Sequence, residues 1–372
     1  MQQELLHEIA LSRIEGVGGV VYKLLINTFG SAEEVFKTSP QKILKVPNVG
    51  KSIIEGIKKS EVALKEAENI ILDSEKKKIS IVTFKNQLYP KRLKGLFDAP
   101  PILYFKGKGQ IENPKTLAIV GTRDASDYGK QVTDQIVSQL KPYDVQIISG
   151  LAYGIDIAAH KAALKNELST IAVLANSLET VYPSSHKKIA TEIEENGLLI
   201  SEQPIGTKLM PKFFVARNRI ISALSEATLI VESGKKGGSM VTAEYSINYN
   251  REVFAVPGAI NQKYSEGPNY LIANQKAQIY TNIEDFILWM KWNESGSPLK
   301  NKEIKEIDLS MFTLEESKIL SLLMQNTEML IDDLAWHSGV SLNKLASILL
   351  NLEFQDLIKQ SPGKKFALKY SQ

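Results

Sequence analysis

Between Glu202 and Glu226 the chain carries four cations, Lys208, Lys212, Arg217 and Arg219, and no carboxylate. Such a window suits anions, phosphates above all, because a guanidinium presents a planar fork of donors and an ammonium a compact charge. Three glycine-bearing turns add backbone N–H groups to that set. They are Gly121-Thr122-Arg123, then Ser149-Gly150 followed by Gly154, and Gly237-Gly238-Ser239 followed by Thr242. Each stands where a short aliphatic run gives way to a helical pattern, and the free N–H groups at a helix start favour negative charge. Ser239 and Thr242 are expected to help cap the helix of the third turn. Asn218 supplies an amide, and Phe213 or Phe214 a ring on which a base can stack, the two facing opposite ways. Ser149, Asp156 and His160 superficially resemble a hydrolytic triad, yet nothing around them reads as a nucleophile elbow. Asp156 and His160 lie four apart on one helix face and are expected to pin their turn by hydrogen bonds.

The elements that must position these residues are legible as an alternation. Strands are predicted at Ile79–Phe84, Leu117–Gly121, Val145–Ser149, Thr170–Leu174, Leu198–Ser201, Thr228–Glu232 and Val253–Val256, most of them separated by helical stretches. Their Val/Ile-rich runs lack polar alternation, as strands buried on both faces do, so the fold class is α/β with a mostly parallel, Rossmann-like sheet. Ligands of such sheets sit beyond the carboxyl ends of the strands, where all three glycine turns fall.

This block spans 76–290. Residues 1–75 read as helices only, with glycine hairpins at Ile14-Glu-Gly16-Val17-Gly18-Gly19 and Val46-Pro47-Asn48-Val49-Gly50-Lys51. Both resemble helix-hairpin-helix (SAM-like) turns, whose amides can face a DNA phosphate, or are tight connectors. Lys51-Ser52 mimics the end of a P-loop, but no strand precedes it and Lys45 stands where the first glycine belongs. Residues 291–310 are polar and read as a linker. From 311 to 372, a capping box at Thr313 and Glu316, helices starting near Ile331 and Ser341, and a strand–turn–strand predict a winged-helix domain. Its third helix carries Lys344 as lone cation, which favours a protein contact over base reading, although Lys359, Lys364, Lys365 and Lys369 on the wing leave DNA open.

Composition sets outer bounds. The 372 residues are 43% hydrophobic and 23% charged with a formal net charge of +3, so only a local patch can argue for a polyanion. Cysteine is absent, which excludes disulfides and thiolate metal sites and suits a cytoplasmic location. No signal peptide is expected, and no run of 18 uncharged apolar residues predicts a membrane span.

Taken together, Ala118-Ile-Val-Gly-Thr-Arg123, Ser149-Gly-Leu-Ala-Tyr-Gly-Ile-Asp156, Arg217-Asn-Arg-Ile-Ile221, Gly238-Ser-Met-Val-Thr-Ala243 and Phe254-Ala-Val-Pro-Gly258 resemble, in order and spacing, the DNA processing protein A (DprA, or Smf) family. Tyr182-Pro183 and Gly267-Pro-Asn-Tyr-Leu-Ile272 extend the match across the central block; Ser177 departs from it, standing where the family usually has glycine. The resemblance implies an extended Rossmann fold that binds single-stranded DNA, forms a homodimer and helps load RecA recombinase during natural transformation. It implies no catalytic residue, metal or cofactor. Carried onto this chain, the DNA pocket would use Arg123 and Arg217-Asn218-Arg219, with Ser149, Gly150, Gly238 and Ser239 lending polar or backbone donors. Lys208 and Lys212 join on charge and position alone. The alternative is a nucleotide-hydrolysing phosphoribohydrolase of the lysine-decarboxylase-like group. Gly237-Gly238 and Glu244 meet that group's offsets, while Lys236, Met240 and Thr242 do not.

Overall fold

The computed structural model describes residues 2–292, 309, 312–326, 329–355, 357–361 and 365–368. It divides into two compact units, 1–294 and 295–372. The expected linker at 291–310 lies almost wholly outside the described residues.

The first unit is built on a nine-stranded sheet. Its strands are β1 (Ser80–Thr83), β2 (Ile102–Gly107), β3 (Thr116–Val120), β4 (Gln146–Ser149), β5 (Thr170–Val173), β6 (Leu198–Ser201), β7 (Ala227–Ile230), β8 (Glu252–Ala255) and β9 (Gln278–Ile279), in the order β1-β2-β6-β5-β4-β3-β7-β8-β9. From β6 to β9 every pairing is parallel; β1–β2 and β2–β6 are antiparallel. The sequence reading missed β2 because Pro100-Pro101 introduces it as loop, yet Ile102 to Phe105 are all buried.

Successive side chains of the parallel strands enter opposite cores, which is why no polar alternation marks them. Ala118, Val120, Ile230 and Ala255 pack on one face beneath α11 (Pro211–Leu224), α12 (Gly238–Asn248) and α13 (Glu266–Ala273). Leu117, Ile119, Leu229 and Phe254 pack on the other with α8 (Asp127–Gln139), α9 (Ile155–Lys165) and α14 (Ile283–Met290). Two further helices, α7 (Lys91–Lys94) and α10 (Lys187–Asn196), complete the layers. The chain runs outward from β3 through β4 and β5 to β6, then returns through α11 to begin β7 on the other side of β3. That reversal opens a crevice between the carboxyl ends of β3 and β7.

Six helices precede the sheet: α1 (Gln2–Arg13), α2 (Gly19–Phe29), α3 (Ala32–Lys37), α4 (Pro40–Ile43), α5 (Lys51–Lys58) and α6 (Ser60–Lys76). They have a core of their own around Tyr22, Leu25, Ile43 and Ile53. Ile9 and Ala10 of α1 and Ala67 and Ile70 of α6 instead join the sheet core with Ala172 and Leu199.

The second unit holds α15 (Leu314–Gln325), β10 (Met329–Leu330), α16 (Ile331–Ser338), α17 (Leu342–Phe354), β11 (Ile358–Ser361) and β12 (Lys365–Leu368), with strands in the order β10-β12-β11. The capping box of Thr313 and Glu316 opens α15, and Gly339 ends α16 in the left-handed region. Ser341 precedes α17 without capping it by its side chain. On α17, Leu345, Leu349 and Leu352 are buried and Leu342 is exposed. Lys364 and Lys369 lie outside the described residues. Among the described residues no helix is long and apolar enough to cross a membrane.

Candidate nucleic-acid interface

A cleft of about 380 Å³ lies at the crevice between β3 and β7. Gly121, Thr122 and Arg123 line it from the β3 turn, Ala152 and Asp156 from the β4 turn and α9, and Ser233, Gly237, Gly238, Ser239 and Thr242 from the β7 turn and α12. Helix α11 forms a further wall with Phe214, Arg217, Asn218 and Ile221, positions that share one face at helical spacing. Pro211 starts that helix at its first position, where a missing N–H costs nothing.

The turn carrying Arg123 is clamped from two sides. Thr122 N–H donates to the Glu232 carbonyl at 2.7 Å, and the Glu232 carboxylate accepts from Ser126 N–H at 2.9 Å and Ser126 Oγ at 2.5 Å. On the other side Ile155 N–H donates to the Thr122 carbonyl at 3.2 Å. Gly154 has φ of +77°, and a Cβ there would collide with the carbonyls of Thr122 and Arg123. Gly154 thus supports the cleft from behind. Arg123 itself is exposed, forms no ion pair with any described residue, and sits 5.4 Å over the ring of Phe214. Phe214 in turn meets Tyr182 edge-on at 5.6 Å.

Arg217 is a different object. It is 5% exposed, and its Nη1 donates to the carbonyls of Gly150, at 2.6 Å, and Val173. Gly150 is glycine because a Cβ there would overlap that guanidinium. Burial lowers the Arg217 pKa to about 10 while Asp156 opposes the shift, so the group stays charged at neutral pH. Burial likewise raises Asp156, opposed by Arg217 and by backbone amides at Ala152 and Gly150. Ser149 Oγ donates to the Ile119 carbonyl at 2.6 Å, which turns its hydroxyl away from any ligand. His160 is fully buried, with Nδ1 2.8 Å from Thr170 Oγ1, and burial lowers its pKa to about 3. Asp156 and His160 therefore brace the floor, as their spacing suggested.

Helix α12 enters the cleft with Gly237 as N-cap and no side chain on its first-turn amides. Ser239 and Thr242 do not cap it: Ser239 Oγ donates to Ser233 Oγ at 2.7 Å, and Thr242 is buried. Asn218 Nδ2 donates to the Gly238 carbonyl at 3.2 Å, tying α11 to α12. Glu244, which the phosphoribohydrolase alternative needs beside those glycines, is exposed and does not line the cleft.

The cation window does not form one surface. Arg219 follows Arg217 by two positions, roughly 200° around the helix, and pairs with the Glu202 carboxylate while donating to the Asp98 carbonyl at 2.8 Å. Arg219 and Lys212 line a separate cavity on the far side of α11, and Lys208 is exposed and lines neither. The cleft lining itself balances Arg123 and Arg217 against Asp124 and Asp156. What favours an anion there is arrangement: an outward guanidinium and uncapped amides at the rim, carboxylate Asp156 sunk in the floor. Sequence reasoning missed Tyr264, whose hydroxyl donates to Asp124 Oδ2 at 3.1 Å. It follows β8, so the rule that ligands sit beyond strand ends already pointed to its turn.

The family model for DNA recombination-mediator protein A matches residues 80–291, more than half of the chain and the whole wall of this cleft. The chain belongs to that family. The model of the DprA winged helix domain matches residues 313–364. Protein Smf of Synechocystis is 29% identical over 391 residues, covering 96% of this chain and 97% of its own length. DNA processing protein DprA of Streptococcus pneumoniae is 32% identical over 66% of this chain and 92% of its own. The solved structure of DprA from S. pneumoniae superposes with a TM-score of 0.66 at 28% identity, covering 76% of this chain and 97% of that one. A second, from Helicobacter pylori, reaches 0.53 at 33% identity over 58% of this chain and 96% of that one; it is described as revealing that protein's single-stranded DNA binding mode.

Proposed function

We propose that the cleft grips the sugar-phosphate backbone of single-stranded DNA and that the protein hands this strand to RecA recombinase during DNA uptake. The observation that carries the reading is the convergence of three glycine turns on one exposed arginine, Arg123, which forms no ion pair with any described residue. The H. pylori relative described with single-stranded DNA supports it. Phosphates meet Arg123 and the open amides of α12, while the ring of Phe214 offers a stacking face to a base. No covalent step is required of any residue in the cleft. Homodimerisation through the sheet unit would let two clefts hold one strand and raise affinity through effective concentration. Exposed Ile279, Leu288 and Trp289 beside edge strand β9 offer an apolar surface for it.

A titration of single- against double-stranded oligonucleotides with the full chain and with Arg123→Ala tests the site. Preference for single strands in the parent and its loss in the variant is the expected result. Equal affinity of both proteins for both forms would remove the cleft from consideration. Delivery to RecA is tested separately, by asking whether the protein shortens the lag of RecA filament assembly on single strands.

A further inference from the structure

The far side of α11 carries a second cavity of about 500 Å³ with a stronger cationic bias than the cleft. Arg13, Lys212 and Arg219 line it against the single carboxylate of Glu202. Arg219 spends its charge on Glu202, and Arg13 shares its own with exposed Glu66 at 2.9 Å. Lys212 forms no ion pair with any described residue and stands 5.5 Å over the ring of Phe213, which also faces the cavity. The opposite wall is the first glycine hairpin: Gly18 caps α2 without any side chain on its first-turn amides, and both Gly18 and Gly19 line the space.

Consecutive residues Phe213 and Phe214 thus offer rings to different cavities, separated only by a helix about 10 Å across. We infer that the second cavity is a further subsite for the same DNA strand, which crosses the first turn of α11 and places a base on Phe213 and a phosphate between Lys212 and the α2 amides. A strand so placed straddles the helix. A half-open space of this size admits a splayed nucleotide and is too narrow for a duplex. The inference rests on the single-strand reading of the cleft, and it explains why a cation and an aromatic ring recur on the face turned away from that cleft.

Fluorescence anisotropy with oligothymidines of about five and about twenty nucleotides, lengths chosen to fill one site or span both, separates the two sites. Lys212→Glu is expected to weaken the long oligomer about tenfold at low salt and to leave the short one unchanged. Arg123→Ala weakens both. A tryptophan introduced by Phe213→Trp should be quenched by the long oligomer only. Equal weakening of short and long oligomers by Lys212→Glu, or no weakening of either, would overturn the subsite. So would unquenched emission from Phe213→Trp at saturation, or an equal effect of Lys212→Glu on a duplex of matching length. If Arg123→Ala binds both oligomers normally while Lys212→Glu loses the long one, the cleft reading fails and the second cavity stands. If the parent protein binds neither oligomer, both are lost.

Discussion

The floor and the rim of the cleft use the same residue types for opposite ends. In the floor, Arg217, Asp156, Ser149 and His160 are buried and held by carbonyls, amides and hydroxyls, with only Arg217 Nε and His160 Nε2 buried without a hydrogen-bond partner among the described residues. At the rim, Arg123 faces solvent with no ion pair to any described residue, and no side chain caps the amides that open α12. Arg217 has already exchanged water for fixed carbonyls at Nη1, whereas the whole exposed fork of Arg123 can still make that exchange. Two arginines in one cleft thus do separate work. Substitution should split them cleanly.

The largest effect is expected from Arg217→Ala. It leaves Asp156 buried beside an empty volume and strips the Gly150 and Val173 carbonyls of their donor, so the loss in stability should be about 3–5 kcal/mol. Chemical denaturation checks this, and a loss below about 1 kcal/mol would place Arg217 with the rim residues. Arg123→Ala is the converse. Denaturation midpoints should not move, while affinity for single strands falls about ten- to a hundredfold, the worth of one charge-assisted contact. The fall should be the same for every base composition, because phosphates carry no sequence information.

That division was only half legible in the sequence. The sheet was readable because strands covered on both faces are unbroken aliphatic runs, and the glycine turns stood at their ends. Helical spacing from Pro211 already places 214, 217, 218 and 221 together and 213, 216 and 219 elsewhere, so the parting of Arg217 from Arg219 was present in the pattern though unread. The ion pair of Arg219 with Glu202 was not, nor the carbonyls that hold Arg217. Those partners come from the ends of other strands, and no local spacing announces them. Strand β2 stayed hidden for a simpler reason: prolines at its entrance look like loop whatever follows.

A smaller effect sharpens the floor side of the comparison. His160 has a folded-state pKa of about 3 against 6.5 for the free side chain, so its neutral form is favoured by folding. Its contribution is complete above the unfolded value and declines as pH falls from there towards the folded one, by at most about 1.4 kcal/mol per pH unit. His160→Gln removes that titration. The variant should be less stable than the parent at pH 7, through the lost contact with Thr170, and should close the gap or overtake it near pH 5. A gap independent of pH would mean that His160 is solvated in the native protein.

The rim predicts a weak salt dependence for short oligomers. With Arg123 and Arg217 as the only lining cations among the described residues, log K should fall with log salt at a slope no steeper than about −1.4, taking about −0.7 per phosphate contact. Longer oligomers should show a steeper slope if they also meet Lys212. A slope equally steep for both lengths would mean that the cleft draws on cations outside its lining.

The smallest effect is expected in the second unit, which presents a helix at the position where winged-helix proteins read bases but builds it unlike the rim. Lys344, the only cation of α17, is paired with Glu315 at 2.6 Å. The exposed side of that helix shows Leu350 and Phe354, and α16 exposes Trp336 behind Asp332 and Asp333. Apolar side chains among carboxylates repel a phosphate backbone and suit a protein surface. Lys344→Ala should therefore change affinity for single- or double-stranded DNA less than about twofold, within the range of a surface ion pair. A tenfold loss on duplex DNA would assign the second unit a DNA contact of its own and end the contrast between a rim proposed to bind nucleic acid and a helix that is not.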